Sequence, residues 1–334
     1  SIGNFLLHTF TIAMKPVKST VIGTWSFSKE PVAEAGKLLT NHTTSAIDAV
    51  EKGLNVAEEN ELYGPCIVGR GGPRNSAGFL ELDAAIMSGK DLNLGAVTAI
   101  RGITRPVSVA RKVMEESPHS MLTGEGATSF AVSKGFVIDQ ELMKFRESRT
   151  EDRKSEPSYV CTVHDTLGLL ALDTSGNVCS AIYISGVTGV GVTQCGVTTS
   201  GKPNKHPGRV GDSALPGCGF YADSTAGAAC CTGDGDEILK FCPSFLAVHY
   251  MKQGISPEEA CSQVIKDIIR KLSESSKSIE MAILALNVKG EHGASATFTE
   301  WKDPLTGDIY SGFPYTLWHE GNQSVQTILA RARN

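Results

Sequence analysis

The segment His164-Asp165-Thr166 puts a hydroxyl directly after an acidic residue and at the head of an apolar run of strand length, Leu167 to Leu172. The turn cluster Asp173-Thr174-Ser175-Gly176-Asn177 closes that run, which therefore reads as a buried strand. A threonine in this place becomes a nucleophile if the peptide bond before it is cut. Cleavage frees an α-amine on the same residue with an unperturbed pKa of about 7.7–8.0. That is near enough to neutrality for the amine to act as general base for its own hydroxyl. For an isolated Asp-Thr pair, an ordinary strand-entry threonine is the commoner reading. The residues downstream change the odds.

Two further clusters offer complementary chemistry. His206-Pro207-Gly208-Arg209-Val210-Gly211-Asp212-Ser213 is a turn holding a cation and an anion three residues apart. Taken alone, Arg209 and Asp212 read as a surface ion pair. The small-residue run Thr225 to Cys231 ends in Thr232-Gly233-Asp234-Gly235-Asp236, a glycine turn able to aim backbone N–H groups and a threonine hydroxyl at an anion. Upstream of Thr166, residues 144–160 are charged and almost free of apolar side chains. They read as a solvated linker, which is also where a processing site needs exposed chain.

Hydrophobic patterning supplies the elements that must hold these groups. The opening strand falls at Val21–Phe27, and helices are predicted over Pro31–Leu39 and Ser45–Glu59. The glycine-rich Gly69–Asn75 lacks the Lys-Ser/Thr ending of a phosphate-binding loop and reads as a turn. Strands at 82–87 and 95–100 precede a helix from Arg105 or Pro106 to about Glu116. Val178–Ala181 is expected to pair with the Thr166 strand as a hairpin. A helix near Asp236 must bend or restart at Pro243, and Ser256-Pro257-Glu258-Glu259 caps another that runs to about Leu272. Met281–Val288 and Ala294–Phe298 read as closing strands. Strands, helices and strands thus occur twice, with Thr166 opening the second half, which fits an α/β chain with two sheets packed between helical layers.

Composition narrows the class. Over 334 residues, 41% hydrophobic and 20% charged content leaves enough apolar mass for a large core, read as one domain. A net charge of −5 without a Lys/Arg cluster argues against nucleic acid. No run is long enough to span a membrane. Nine cysteines lack metal-finger spacing and read as small buried residues rather than a disulfide framework. The apolar Phe5–Met14 run makes a poor signal remnant, while Asn41 and Asn322 begin glycosylation sequons.

With Thr166, Arg209, Asp212 and Thr232 in place, the chain resembles the glycosylasparaginases, within the asparaginase-like branch of the N-terminal-nucleophile hydrolases. The resemblance runs from Val21-Ile22-Gly23-Thr24-Trp25 to the closing strands. It is densest in HDTLG, GRVGDS, GCGFYADSTAGAA and TGDGD. It implies a four-layer αββα sandwich and self-cleavage between Asp165 and Thr166, giving an α chain (1–165) and a β chain (166–334) assembled as (αβ)₂. It further implies Thr166 as nucleophile, Thr199 as its support, and Thr232 with Gly233 as the oxyanion hole. Arg209 would take the substrate α-carboxylate and Asp212 its α-ammonium, with Trp25 and Gly235 lining the pocket. The implied reaction is hydrolysis of glycosylated asparagine through a β-aspartyl ester, in a lysosome, with neither metal nor cofactor.

Three features depart from that pattern. Residues 181–196 form an extra uncharged run between the nucleophile's hairpin and Thr199, read as a mis-spliced or mistranslated segment. Pro73-Arg74-Asn75 stands where the family has a serine-containing turn. The family's cysteine pairs lack counterparts, with only Cys261 at a matching place. Two alternatives stay open: an L-asparaginase or isoaspartyl dipeptidase of the same fold, and a silent precursor unable to process itself because of the 181–196 run.

Overall fold

The computed structural model describes residues 17–41, 44–146, 166–174, 192–273 and 279–330. The first part of the chain gives β1 (Thr20–Thr24), α1 (Lys29–Leu39), α2 (Ala46–Glu58), β2 (Leu82–Ser88), β3 (Leu94–Ile100), α3 (Pro106–Glu116), β4 (Met121–Thr123), α4 (Gly124–Ser133) and α5 (Gln140–Met143). The second part opens with β5 (Leu167–Asp173), β6 (Val192–Thr199), β7 (Phe220–Asp223), β8 (Gly227–Gly233), α6 (Gly235–Ile238), α7 (Pro243–Lys252) and α8 (Pro257–Ser273). It closes with β9 (Met281–Asn287), β10 (His292–Ala296), β11 (Trp301–Lys302), β12 (Ile309–Tyr310), β13 (Phe313–His319) and β14 (Gln326–Ala330).

An eight-stranded sheet runs β14-β13-β1-β5-β6-β2-β3-β4, and a four-stranded sheet runs β10-β9-β8-β7. The strand behind Thr166 therefore lies inside the larger sheet, paired with β1 on one side and β6 on the other. All seven residues of β5 are buried, which is why its sequence is continuously apolar rather than alternating. Helices α1, α2 and α3 pack on the large sheet, and α7 and α8 on the small one. The two sheets meet where β5 and β6 approach β8. At Gly168 a Cβ would stand 2.7 Å from the Cys230 sulfur, so the absence of a side chain lets the sheets close directly beside Thr166.

Several expectations shift in position. The opening strand stops at Thr24, because Trp25 turns out of it with φ 66° into a short 3-10 turn at Ser26–Ser28. The small-residue run before Thr232 is itself a strand, β8. Alanine, cysteine and glycine carry weak strand signals, and pairing with β7 and β9 decides the conformation. Pro243 restarts the chain: α6 ends at Ile238 and α7 begins with the proline in its first turn.

The hairpin is corrected most. Val178–Ala181 lies outside the described residues, and the partner of β5 is β6, from Asp173↔Val192 to Leu167↔Thr198. Val192–Gly196, expected as part of an extra run, are strand residues paired with β5, and Gln194–Gly196 pair with β2 as well. The remainder of that run, 181–191, and Asp165 likewise lie outside the described residues. Deleting 181–191 alone should keep the register and more than halve the connection between β5 and β6. The expected gain is small, about 0.6 kcal/mol per halving, read as a higher urea midpoint at constant slope.

Candidate active site

Thr166 is 4% exposed at the head of β5, and its neighbours hold it at three points. Its N–H donates to Thr232 Oγ1 at 2.9 Å, its carbonyl accepts from Thr24 Oγ1 at 2.7 Å, and its own hydroxyl lies 3.0 Å from Ser213 Oγ. Thr24 Oγ1 also accepts from Gly168 N at 3.0 Å, so one hydroxyl clasps the backbone on both sides of Leu167. The backbone around Thr166 is thus fixed by side chains from β1 and β8, on both sheets.

The cavity at Thr166 is walled by Thr199, Arg209, Asp212, Gly233 and Gly235 among others. Arg209 directs Nε to Asp236 Oδ1 at 2.9 Å. That ion pair orients the guanidinium through one nitrogen only. A Cβ on Gly235 would fall 2.6 Å from Asp212 Oδ1 and 3.1 Å from Arg209 Nη2, so a glycine is required for the acid and the base to share this wall. Asp212 is 2% exposed and its Oδ2 has no hydrogen-bond partner among the described residues. Burial pushes its carboxyl up to about 7, against the opposing pull of Arg209. A cation entering the cavity would compensate that buried charge, and an anion would meet the guanidinium beside it. Together they suit a free amino acid end.

The structure brings Thr166, Thr199, Arg209, Asp212, Gly233 and Gly235 to one cavity, while Thr232 and Trp25 stand behind it. Two expected roles change. Trp25 is fully buried among Phe298, Trp301 and Phe313 and does not line the pocket. Its indole N–H instead donates to Thr232 Oγ1 at 3.0 Å, and the positive φ at Trp25 is the backbone strain that turns the ring there. Thr199 does not bond the nucleophile. Its hydroxyl donates to the Ile67 carbonyl at 3.1 Å and accepts from Gly201 N at 2.9 Å, which uses it as a clasp between loops. The hydroxyl partner of Thr166 is Ser213, which sequence reading missed although it directly follows Asp212 in the same motif. Thr24 was missed too, since a threonine at a strand end carries no signal of its own. Asn75, in the departing Pro73-Arg74-Asn75 segment, caps its own turn by accepting from Ala77 N and Phe79 N.

Comparison with known proteins fits this geometry. Residues 12–302 match the family model described as asparaginase. An N(4)-(β-N-acetylglucosaminyl)-L-asparaginase of Elizabethkingia miricola is 37% identical, covering 83% of this chain and 78% of that protein. The protein of that name from Rattus norvegicus is 34% identical over 92% of this chain and 95% of its own length. An isoaspartyl peptidase/L-asparaginase of Bos taurus is 33% identical over 85% and 87%. The family match covers the whole small sheet, six of the eight strands of the large one and every cavity residue named above. The chain belongs to the asparaginase family of hydrolases.

Proposed function

We propose that the chain is a self-processing amidohydrolase that cleaves the amide between N-acetylglucosamine and the asparagine side chain. The observation that carries the reading is a buried threonine at a strand head, its hydroxyl in a cavity that also holds Arg209 and Asp212. The sheets facing each other under outer helices support a four-layer αββα sandwich. Self-cleavage between Asp165 and Thr166 would turn the Thr166 N–H, now bonded to Thr232, into the amine that serves as base. Arg209 takes the α-carboxylate and Asp212 the α-ammonium, which sets the side-chain carbonyl against the Thr166 hydroxyl. Attack forms a tetrahedral oxyanion, received by Thr232 and Gly233. Its collapse expels the glycosylamine, and water then hydrolyses the β-aspartyl ester to aspartate. An (αβ)₂ assembly and a lysosomal address belong to the same reading and rest on the family resemblance alone.

One feature favours a second substrate. Lys202, exposed at the cavity wall, would attract a leaving group bearing a carboxylate, as in a β-aspartyl dipeptide. A denaturing gel with N-terminal sequencing tests processing: two fragments of nearly equal size, each about half the full length, are expected, one of them beginning at Thr166. The relative kcat/KM of a glycosylasparagine and a β-aspartyl dipeptide tests the leaving group. A single full-length band without turnover of either would refute the proposal.

Arg209→Lys keeps a positive charge but cannot bond both Asp236 and a carboxylate in a fork. Each lost charge-assisted bond is worth about 1.5–3 kcal/mol, so kcat/KM should fall roughly tenfold to hundredfold, mostly through KM. Unchanged kinetics in a destabilised protein would make the residue structural.

A further inference from the structure

Lys205 lies four residues before Arg209, yet its side chain is 1% exposed. Its ammonium donates to the Glu81 carbonyl at 3.2 Å and stands 4.0 Å from Asp83 Oδ2, itself on a side chain 2% exposed. The other Asp83 oxygen accepts from Ala99 N at 2.7 Å, where the pairing of β2 with β3 is irregular. Beside it, Gly208 N donates to Glu81 Oε2 at 3.0 Å. The loop that delivers Arg209 is therefore fastened to the head of β2 twice, once through a side chain and once through backbone.

The pair also stands next to the substrate cavity. A Cβ on Gly201, a cavity residue, would fall 3.0 Å from Lys205 Nζ and 3.4 Å from Arg209 Nη1, so the two cations lie side by side behind that glycine. Burial pushes the Asp83 carboxyl up, while Lys205, the Ala99 N–H and then Arg209 pull it down. Asp83 is thus within electrostatic reach of both cations. Lys205 is the nearer in effect.

Resting on the proposed roles of Arg209 and Asp212, we propose that Lys205 is a positioning residue, which neutralises Asp83 and so leaves the Arg209 guanidinium to the substrate α-carboxylate. Without Lys205, the buried Asp83 carboxylate would compete for Arg209 from behind the cavity. A lysine suits this place because a compact ammonium on a long stem can reach the strand from the loop.

The inference predicts a charge-dependent pattern. Lys205→Met should raise KM for glycosylasparagine, and weaken binding of L-aspartate measured by calorimetry, each by about tenfold, with kcat changed much less. Adding Asp83→Asn to Lys205→Met removes the competing carboxylate and should bring both constants back to within about threefold of the parent, as coupled neighbours allow. A merely structural lysine would lower Tm in both variants without that recovery. Should Lys205→Met not accumulate folded, recovery of a folded, tight-binding Lys205→Met/Asp83→Asn protein supports the proposal, and a double variant that is unfolded or still weak overturns it. Parental KM and parental aspartate affinity in Lys205→Met also overturn it. A parent that neither turns over the amide nor binds aspartate would remove the reading underneath.

Discussion

Thr166→Ala is expected to give one intact chain with no turnover. The substitution takes away the atom proposed to attack, both in self-cleavage and in catalysis. Loss of an activated nucleophile typically costs about 10⁴-fold or more in kcat. The fold should survive, because the anchors of this residue are mostly backbone: its N–H to Thr232 and its carbonyl to Thr24 remain. What goes is the hydroxyl contact with Ser213, worth about 1 kcal/mol. Thr166→Ser keeps the hydroxyl and should process and turn over, more slowly, since the methyl that restricts χ1 is lost. The two reactions should not respond alike. Before cleavage the nitrogen of Thr166 is an amide without a basic lone pair, so the hydroxyl must rely on its neighbours. Afterwards it carries its own base. Half-length fragments from Thr166→Ala on a denaturing gel, one of them beginning at residue 166, would remove Thr166 from the mechanism.

Much of this site was legible because chemistry and position coincide in short motifs. Thr166 announced itself by opening a continuous apolar strand, and Arg209 with Asp212 by pairing opposite charges in a glycine-rich turn. The fully buried β5 read correctly for the same reason, as did the capped helices. What the sequence hid were contacts between distant elements. Nothing near Trp25 says that its ring is enclosed by Phe298, Trp301 and Phe313 and that its N–H finds Thr232. Nor does Thr199 reveal that its hydroxyl is taken by Ile67 and Gly201, leaving Ser213 beside the nucleophile. The β5–β6 pairing failed for another cause. Two stretches of similar small and polar character follow the strand, and register is chosen by β2 on the far side, which local pattern cannot weigh. Lys205 hid behind its own charge, since a lysine in a polar loop reads as solvated.

Asp212→Asn should show that this carboxylate, the proposed partner of the substrate α-ammonium, is held at the expense of the fold. The folded-state pKa of Asp212 is raised from 3.8 to about 7, with burial as the leading cause. A raised acid binds its proton more tightly when folded. Its contribution is therefore complete below the unfolded pKa and is lost as pH rises through about 7. By pH 8 the ionised carboxylate weakens the fold by a few kcal/mol, at roughly 1.4 kcal/mol per pKa unit. Asparagine does not titrate and escapes that loss. Relative to the parent, Asp212→Asn should gain stability between pH 5 and pH 8 by roughly 2–3 kcal/mol, whatever constant offset its amide introduces. Binding moves the opposite way. An α-ammonium facing a neutral amide loses its counter-charge, and kcat/KM should fall about a hundredfold or more. Denaturant midpoints of both proteins, measured in the Thr166→Ala background so that chain connectivity is the same, read the stability term without interference from processing. A stability difference that stays constant from pH 5 to pH 8 would mean that Asp212 is ionised throughout, its burial compensated by Arg209, and that the cavity waits for its substrate without strain.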